Sequence, residues 1–173
     1  MKPIFLLAVP AAALIFAGCS SSTPVSSDPS GGPAQPTAQA SPPDTTPMGG
    51  SVTFSDGIVL GTSAPAAFKA SKYAAAEPGR QFVTTMTATN NSQENYVPSS
   101  DVYTTASAGG VECGRIFDSE KKIEIEPSTP VLPGRSVSWK AAWACEAPAG
   151  AELVLAAKSN VLGDSAVFVG TLP

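Results

Sequence analysis

Residues 135–145 read RSVSWKAAWAC, and this stretch decides the fold that the sequence predicts. Its alternate positions carry mainly apolar side chains: Val137, Trp139, Ala141, Trp143 and Cys145. The positions between them are polar or small: Ser136, Ser138, Lys140 and Ala142. A period of two is typical of a β-strand with one face in a core and the other in water. We therefore predict a strand over 135–145, with both tryptophans in the core and not on an exposed platform for stacking sugars.

A second strand of the same kind is predicted over residues 81–89. One face would carry Phe82, Thr84, Met86 and Ala88, and the other Val83, Thr85, Thr87 and Thr89. Branching at Cβ makes valine and threonine better strand formers than helix formers. The following Asn90-Asn91-Ser92 is typical of a turn, which ends the strand.

Shorter apolar or alternating runs make up the rest of residues 51–173. They cover residues 52–54, 58–60, 101–107, 111–117, 121–126, 153–157 and 166–172. Glycine, proline, asparagine and aspartate separate them, as in Asp56-Gly57, and these residues favour tight turns. No amphipathic helix is predicted. Seven or eight short strands between turns indicate an all-β chain that folds as an antiparallel β-sandwich.

The start of the chain has the pattern of an export signal. Lys2 precedes an apolar run over residues 4–18, and Cys19 follows directly. A helix that spans a bilayer needs about 20 apolar residues, so this run is short for a membrane span. Pro10 in its middle weakens it further as a straight helix.

The ending Phe16-Ala17-Gly18-Cys19 resembles the lipobox of bacterial lipoproteins. This resemblance implies that residues 1–18 are a lipoprotein signal peptide, removed before Cys19. It also implies a diacylglycerol on the Cys19 thiol and often a further acyl chain, such as palmitate, on the new amino terminus. Stable anchoring takes two signals, which a diacylglycerol supplies, whereas one acyl chain gives only marginal binding. Two alternatives stay open: an ordinary signal peptide cut nearby, and a retained apolar anchor.

Residues 19–50 predict a disordered tether between this anchor and the folded domain. The segment consists mainly of serine, threonine, proline, glycine, alanine and glutamine. Such a composition buries too little apolar surface to offset the entropy of ordering the chain. A loose coil of about 30 residues separates its ends by roughly 30 Å. We expect it to hold the domain 51–173 away from the outer face of a cell membrane.

The overall composition excludes several classes of catalytic, metal-binding and nucleic-acid-binding site. The chain of 173 residues contains no histidine, which excludes Ser-His-Asp and Cys-His nucleophiles and histidine-bound metals. Its formal charge is −4 and it has no basic cluster, so we expect no nucleic acid partner.

The three cysteines predict one disulfide. If Cys19 carries lipid, Cys113 and Cys145 remain as an even pair in an oxidising compartment. A bridge between them would close a loop of about 33 residues and stabilise the fold by roughly 3–4 kcal/mol. Two buried free thiols are the alternative.

A charged segment at 118–126 raises the question of a cation site. Three carboxylates, Glu120, Glu124 and Glu126, offer the oxygen ligands that Ca²⁺ prefers. The segment lacks the regularly spaced aspartate, asparagine and glycine of a calcium loop, and it contains Lys121 and Lys122. We favour a solvated hairpin or edge strand whose charges deter pairing with other chains, and we predict no metal ligand and no cofactor.

Several motifs of the folded part resemble a known family. They are Pro78-Gly79-Arg80-Gln81-Phe82, Thr89-Asn90-Asn91, Val131-Leu132-Pro133-Gly134, Ala147-Pro148-Ala149-Gly150-Ala151 and Ala166-Val167-Phe168. Over about residues 50–173 the chain resembles an immunoglobulin-like extracellular domain family of unknown function, found in lipoproteins and secreted proteins of Gram-positive bacteria. This family is related in fold to the mycobacterial immunoprotective extracellular protein. The resemblance implies an immunoglobulin-like sandwich, an extracytoplasmic location and no known enzymatic activity.

Together these patterns predict a lipid-anchored domain that is not an enzyme and that binds a protein or a component of the cell envelope. A solute- or ligand-binding lipoprotein is the first alternative, and it would need a deep apolar pocket. A cell-wall hydrolase is the second, and it would need two carboxylates at a defined separation across a cleft. Acidic residues are present, but their spacing in the sequence selects no pair.

Lipidation predicts a difference between the wild type and the variant Cys19→Ser. Cells given labelled fatty acid should incorporate it into the wild type, because the thiol of Cys19 is the attachment point. The variant should stay unlabelled, since serine lacks the thiol, while Cys145→Ser should still be labelled. Equal labelling of the wild type and Cys19→Ser would contradict lipidation at this residue.

Overall fold

The computed structural model of the protein describes residues 44–173. Two β-sheets enclose one large hydrophobic core, so the predicted all-β, immunoglobulin-like antiparallel sandwich is confirmed. The described residues form eleven strands, more than the seven or eight predicted, because several runs of two or three residues also pair.

The strands are numbered in chain order. They are β1 Thr45–Pro47, β2 Ser51–Thr53, β3 Ile58–Thr62, β4 Ala66–Ala67, β5 Arg80–Asn90, β6 Tyr103–Ala108, β7 Val111–Glu112, β8 Gly114–Ile116, β9 Arg135–Cys145, β10 Glu152–Lys158 and β11 Ser165–Thr171. One short helix, α1 (Pro98–Asp101), and a 3-10 turn (Ser119–Lys121) complete the secondary structure of the described part.

The first sheet has the spatial order β1-β11-β10-β6-β7, and the second has the order β2-β3-β5-β9-β8 with β4 also paired to β5. All pairs are antiparallel except β1 with β11, which is parallel. The turn predicted at Asp56-Gly57 is confirmed. It joins β2 to β3, which pair as an antiparallel hairpin, and Gly57 adopts a φ of 85°, which glycine tolerates without strain.

The two long strands β5 and β9 form the longest ladder of the sandwich. They pair over eleven residues, from Arg80 opposite Cys145 to Asn90 opposite Arg135. The predicted alternation along β5 is confirmed, because one set of side chains is buried and the other is partly exposed. The buried set is Phe82, Thr84, Met86, Ala88 and Asn90.

The core contains both tryptophans, as predicted. Trp143 is 1% exposed and stacks on Phe82, with ring centroids 5.3 Å apart and ring planes at 18°. Trp139 is 8% exposed. The disulfide between Cys113 and Cys145, which the cysteine count predicted, is present at the end of β9, with the Cα atoms 4.4 Å apart.

The outer face of β9 is only partly exposed, which corrects one prediction. Ala142, which alternation assigned to water, is buried. A second apolar cluster lies there, made of Ile116, Ile123, Ala142 and Ala144 with Phe68 packed against it. Two loops cover this end of the sheet, one carrying Ser71 and the other Asp118. They are joined because the Asp118 carboxylate accepts hydrogen bonds from the backbone N–H and the hydroxyl of Ser71, at 2.6 and 2.9 Å.

The run 111–117, predicted as one strand, divides at Cys113. Its first part is β7 in the first sheet, and its second part is β8 in the second sheet. The chain therefore crosses between the sheets at the cysteine that the disulfide joins to β9.

The strand predicted over residues 121–126 is wrong. Lys122 has a φ of 57°, in the left-handed region that a strand does not adopt. Ile123 is 1% exposed and Ile125 is 67% exposed, although alternate residues of a strand would share a face. The predicted strand over 101–107 is β6, which begins at Tyr103 because α1 occupies the residues up to Asp101.

The described domain includes residues that were predicted as tether. Thr45–Pro47 forms β1 against β11, so the sandwich extends beyond the predicted boundary at residue 51. The predicted signal peptide 1–18, Cys19 and residues 20–43 of the predicted tether lie outside the described residues. Between residues 44 and 173 we find no helix of the length and apolarity that a bilayer crossing requires.

Candidate functional site

The candidate site lies along the edge of β9 that β5 does not cover. On this side β8 pairs only with the last part of β9, Ala142 to Ala144. The first part of β9 has no partner strand there among the described residues. An edge of this kind presents a row of unpaired N–H and C=O groups and is a template for pairing with another chain.

The register shows which residues direct their backbone groups to this open edge. The N–H of Ser63, directly after β3, donates to the carbonyl of Thr85 at 2.8 Å, so the odd-numbered residues of β5 bond to β3. The even-numbered residues of β5 therefore bond to β9, where their partners are odd-numbered, as in Met86 opposite Trp139. By the same alternation, Ser136, Ser138 and Lys140 direct their N–H and C=O groups away from β5.

A loop runs beside the open edge without hydrogen bonding to it. This covering segment, residues 122–129, is attached elsewhere. The carbonyl of Pro127 accepts from the N–H of Ser99 at 3.0 Å, and just beyond the segment Val131 and Tyr96 exchange two backbone hydrogen bonds. The covering segment and the open edge of β9 thus face each other across a gap.

The gap is a groove of about 550 Å³. It is lined by Lys122, Glu124, Ile125, Glu126, Pro127, Ser128, Thr129, Ser138, Trp139 and Lys140. Trp139 lines the groove from the core side of β9, and its buried indole Nε1–H has no hydrogen-bond acceptor among the described residues.

One ion pair attaches the covering segment at the side of the groove. The Arg115 guanidinium donates to a Glu126 carboxylate oxygen at 3.1 Å and to the Thr104 hydroxyl at 3.0 Å. It also lies over the Trp143 ring, with the guanidinium carbon 4.8 Å from the ring centroid. Burial lowers the pKa of Arg115, and the neighbouring Glu126 carboxylate partly restores it. The pair neutralises Glu126 and leaves Lys122, Lys140 and Glu124 as the exposed charges along the groove.

The three glutamates considered for calcium have separate surroundings. Glu120 lies in the 3-10 turn and is exposed, Glu124 is exposed in the covering segment, and Glu126 is paired with Arg115. Within residues 44–173, no group of three or more acidic or cysteine side chains is arranged to hold a metal ion.

A second, smaller pocket lies where the β2–β3 turn meets the loop after β10. Its volume is about 280 Å³, and its lining includes Asp56, Glu94, Tyr96, Asp101 and Ser159. Asp56 joins the two sheets here, since its carboxylate accepts from the N–H of Ile58 at 3.0 Å and from the Ser159 hydroxyl at 2.7 Å. The Tyr96 hydroxyl donates to the Ser159 carbonyl at 3.0 Å. Asp56 thus connects two loops, whereas Asp101 accepts hydrogen bonds from the N–H of Val97 and the hydroxyl of Ser100 within its own turn.

Two residues that line the end pocket, Asp56 and Tyr96, have shifted pKa values. Partial burial opposes ionisation of Asp56, but hydrogen bonds from Ile58, Ser159 and Asn160 outweigh it and lower the pKa of this carboxyl. Burial raises the pKa of Tyr96 far above its usual value, and the carboxylates of Asp101 and Asp56 raise it further.

Of the residues singled out in the sequence, the structure brings Cys113 and Cys145 together and places Trp139 at the groove. Neither the open edge nor the end pocket was predicted. Alternation along β9 assigns its even-numbered serines only to the solvent-exposed face, and nothing in the sequence shows where a neighbouring strand ends.

Comparisons with known proteins establish the fold alone. No family model matches the chain, and no curated protein matches it. The yjhA protein of Bacillus subtilis superposes with a TM-score of 0.53 at 8% identity, over 70% of this chain and 97% of that one. The "putative lipoprotein" ycdA of Bacillus subtilis superposes with a TM-score of 0.56 at 14% identity, over 73% of this chain.

This chain spans 39% of the length of ycdA. An uncharacterised β-sandwich protein of Clostridium difficile superposes with a TM-score of 0.46 at 9% identity, over 78% of this chain and 99% of that one. The resemblance to the mycobacterial immunoprotective extracellular protein stays a prediction, because no comparison tests it.

The open edge predicts fast amide hydrogen exchange at Ser136, Ser138 and Lys140. Their N–H groups lack a strand partner, whereas those of the odd-numbered residues of β9 are bonded to β5. We expect exchange at these three positions to be about a hundredfold faster or more, measured residue by residue by NMR. Ala142 and Ala144 are matched controls, because they face the same edge but bond to β8. Equal protection along the whole of β9 would refute an open edge.

The lowered pKa of Asp56 predicts a pH-dependent effect of Asp56→Asn. A carboxyl whose pKa is lower in the folded state stabilises the fold above its unfolded pKa of about 3.8, and this contribution is lost as the pH falls through the folded value. The variant should therefore melt below the wild type at pH 7, and the difference should shrink below pH 3.8. Asp164→Asn, at an exposed aspartate of the neighbouring loop, is the control. A difference in melting temperature that is constant with pH would contradict this role.

Proposed function

We propose that this protein is a lipid-anchored, extracytoplasmic domain without catalytic activity, which binds a protein or another component of the cell envelope. The observation that carries the proposal is the groove between the covering segment and the open edge of β9. It combines unpaired backbone groups and exposed lysines on a scaffold held by an eleven-residue ladder and a disulfide.

The location is supported by the sequence before the sandwich. The export pattern of residues 1–18 and the lipobox-like ending at Cys19 favour anchoring by lipid. The serine-, threonine- and proline-rich segment behind Cys19 suits a spacer that carries the domain clear of the membrane. The fold is similar to that of ycdA of Bacillus subtilis, which is described as a "putative lipoprotein". This similarity agrees with the proposed location.

We also assign the domain to the immunoglobulin-like extracellular family of Gram-positive bacteria, on the strength of the turn motifs that precede β5, β9 and β10. The assignment agrees with the sandwich topology. It implies that members share a scaffold, and binding specificity would then come from edges and loops, where chains vary most freely.

Absence of catalysis is supported by the absence of histidine and by the bonding of the acids. In the end pocket, both carboxylate oxygens of Asp56 accept hydrogen bonds from neighbouring residues, and both of Asp101 do so as well. A glycosidase instead needs two carboxyl groups that are free to reach opposite sides of one bond.

The ligand-carrying alternative receives less support. A solute carrier needs a deep apolar pocket, whereas the centre of this sandwich is filled by large side chains such as Trp143, Phe82 and Phe168. The end pocket is lined mainly by polar residues and is smaller than the groove.

Site-directed photo-crosslinking in intact cells tests the proposed function. A photoreactive phenylalanine analogue in place of Ser138 should yield an adduct with an envelope component, because this position faces the groove. The same analogue in place of Thr105, an exposed position on β6 of the other sheet, is the matched control. The adduct should require Cys19, since a soluble form that lacks residues 1–19 would leave the membrane surface.

Adducts of equal yield from both positions, or from neither, would contradict a binding role for the groove. An adduct that persists in the soluble form at the same yield would contradict a role for the anchor.

A further inference from the structure

We propose that the groove binds an extended segment of a partner protein, which adds to the second sheet as a new strand beside β9. This inference rests on the proposed role as a binding domain, and it specifies how the partner is recognised. In strand addition, backbone hydrogen bonds supply much of the affinity, and alternate side chains supply the specificity.

The unpaired backbone groups match a strand in number and spacing. Ser136, Ser138 and Lys140 each direct one N–H and one C=O group to the open edge. Alternate residues of a strand are about 6.6–6.8 Å apart, so a segment of about five residues in extended form would meet all three. β8 already bonds to this same edge one step further along, at Ala142 and Ala144. A bound segment would therefore continue a line of pairing that the fold itself begins.

The groove has space for one strand but not for a second sheet. The covering segment 122–129 runs opposite the open edge, held by Arg115 and by the backbone of Ser99. A second copy of this domain that paired through its own β9 would bring a whole sheet and its own covering segment to the same place. The covering segment therefore blocks association between copies, while it leaves a gap of about 550 Å³ for a single extended chain.

The tether of this chain is a poor occupant. Proline has no N–H and cannot donate to a ladder. Prolines recur through the tether at positions 24, 29, 33, 36, 42 and 43. The longest stretch between two of them, residues 37–41, reads TAQAS and offers no large apolar side chain to the groove. These properties favour a segment from another protein.

The lining predicts the chemistry of that segment. Residues of the added strand that point inward would lie beside Val137 and Trp139, so they should be apolar. Residues that point outward would lie beside Ser138 and Lys140. Because Glu126 is neutralised by Arg115, the lysines at 122 and 140 outnumber the one remaining carboxylate, Glu124. We expect an extended, proline-free segment that alternates apolar with polar or acidic residues.

A peptide selection tests this inference with the purified chain 20–173, which contains the whole described domain. A phage-displayed library of random 12-residue peptides is the probe. Peptides enriched on the wild type should share a proline-free stretch of at least about five residues with alternating apolar positions. They should bind Ser138→Ala with unchanged affinity, since alanine keeps the backbone N–H. They should bind Ser138→Pro about tenfold more weakly or worse, since proline removes one donor and obstructs the edge.

A second comparison changes the peptide and leaves the protein intact. In a bound strand, alternate amides face β9 and the intervening amides face away. Methylation of one alternate set of amide nitrogens in an enriched peptide should abolish binding, while methylation of the other set should weaken it far less. On binding, the amides of Ser136, Ser138 and Lys140 should exchange with solvent more slowly. A library that yields no binder, or binders that are insensitive to Ser138→Pro and to both methylation patterns, would overturn the proposal.

Two further outcomes would also overturn it by identifying another occupant. If the amides of Ser136, Ser138 and Lys140 are protected from hydrogen exchange in the chain 20–173 but exchange fast once residues 20–43 are removed, the tether fills the groove. If the chain dimerises in sedimentation equilibrium and Ser138→Pro makes it monomeric, a second copy fills it. The selection does not depend on lipidation of Cys19, so a failure of anchoring and a failure of strand addition would be distinguished.

Discussion

The eleven-residue ladder between β5 and β9 is the constraint on which the rest of the sandwich depends. Its register places the larger side chains of both strands in the core, where Phe82 and Trp143 stack. A shift of one residue would turn every one of these side chains to the opposite face, so the burial of two aromatic rings holds the register. The other strands of the second sheet build outward from this pair: β3 and β4 attach to β5, β8 attaches to β9, and β2 attaches to β3.

The open edge follows from how the chain reaches β9. Cys113 marks the crossing from the first sheet to the second, and its disulfide to Cys145 holds β8 against the end of β9. After three residues β8 ends, and the chain turns through Lys122 into the covering segment, which bonds to α1 and not to β9. The first part of β9 therefore keeps unpaired backbone groups, shielded from large neighbours but accessible to one extended chain.

The sequence predicted the long strands well and the short charged run poorly, for one physical reason. Along β5 and β9, most side chains meet one environment per face, so alternation in the sequence matches alternation in burial. Ala142 is the exception, because loops that carry Phe68 and Ile123 cover the outer face at that point. In 121–126, Ile123 and Ile125 imitate a strand, but Ile123 is buried by that remote cluster while Ile125 remains in solvent. The sequence does not predict β1, because a strand of three residues, one of them Pro47, is too short to show an alternation of apolar and polar side chains.

The sequence by itself determined the all-β class, the two main strands and the exclusion of histidine chemistry. It predicted the pairing of Cys113 with Cys145 on the premise that Cys19 carries lipid. Each of these depends on residue type and spacing along the chain. Only the tertiary structure decided which strand edge stays open, which charges face it and which are neutralised. Those features depend on contacts between residues far apart in sequence, such as Ser71 with Asp118 and Ser99 with Pro127. Local sequence patterns do not predict such contacts, because the contacts form only when the two sheets pack together and the loops fold over them.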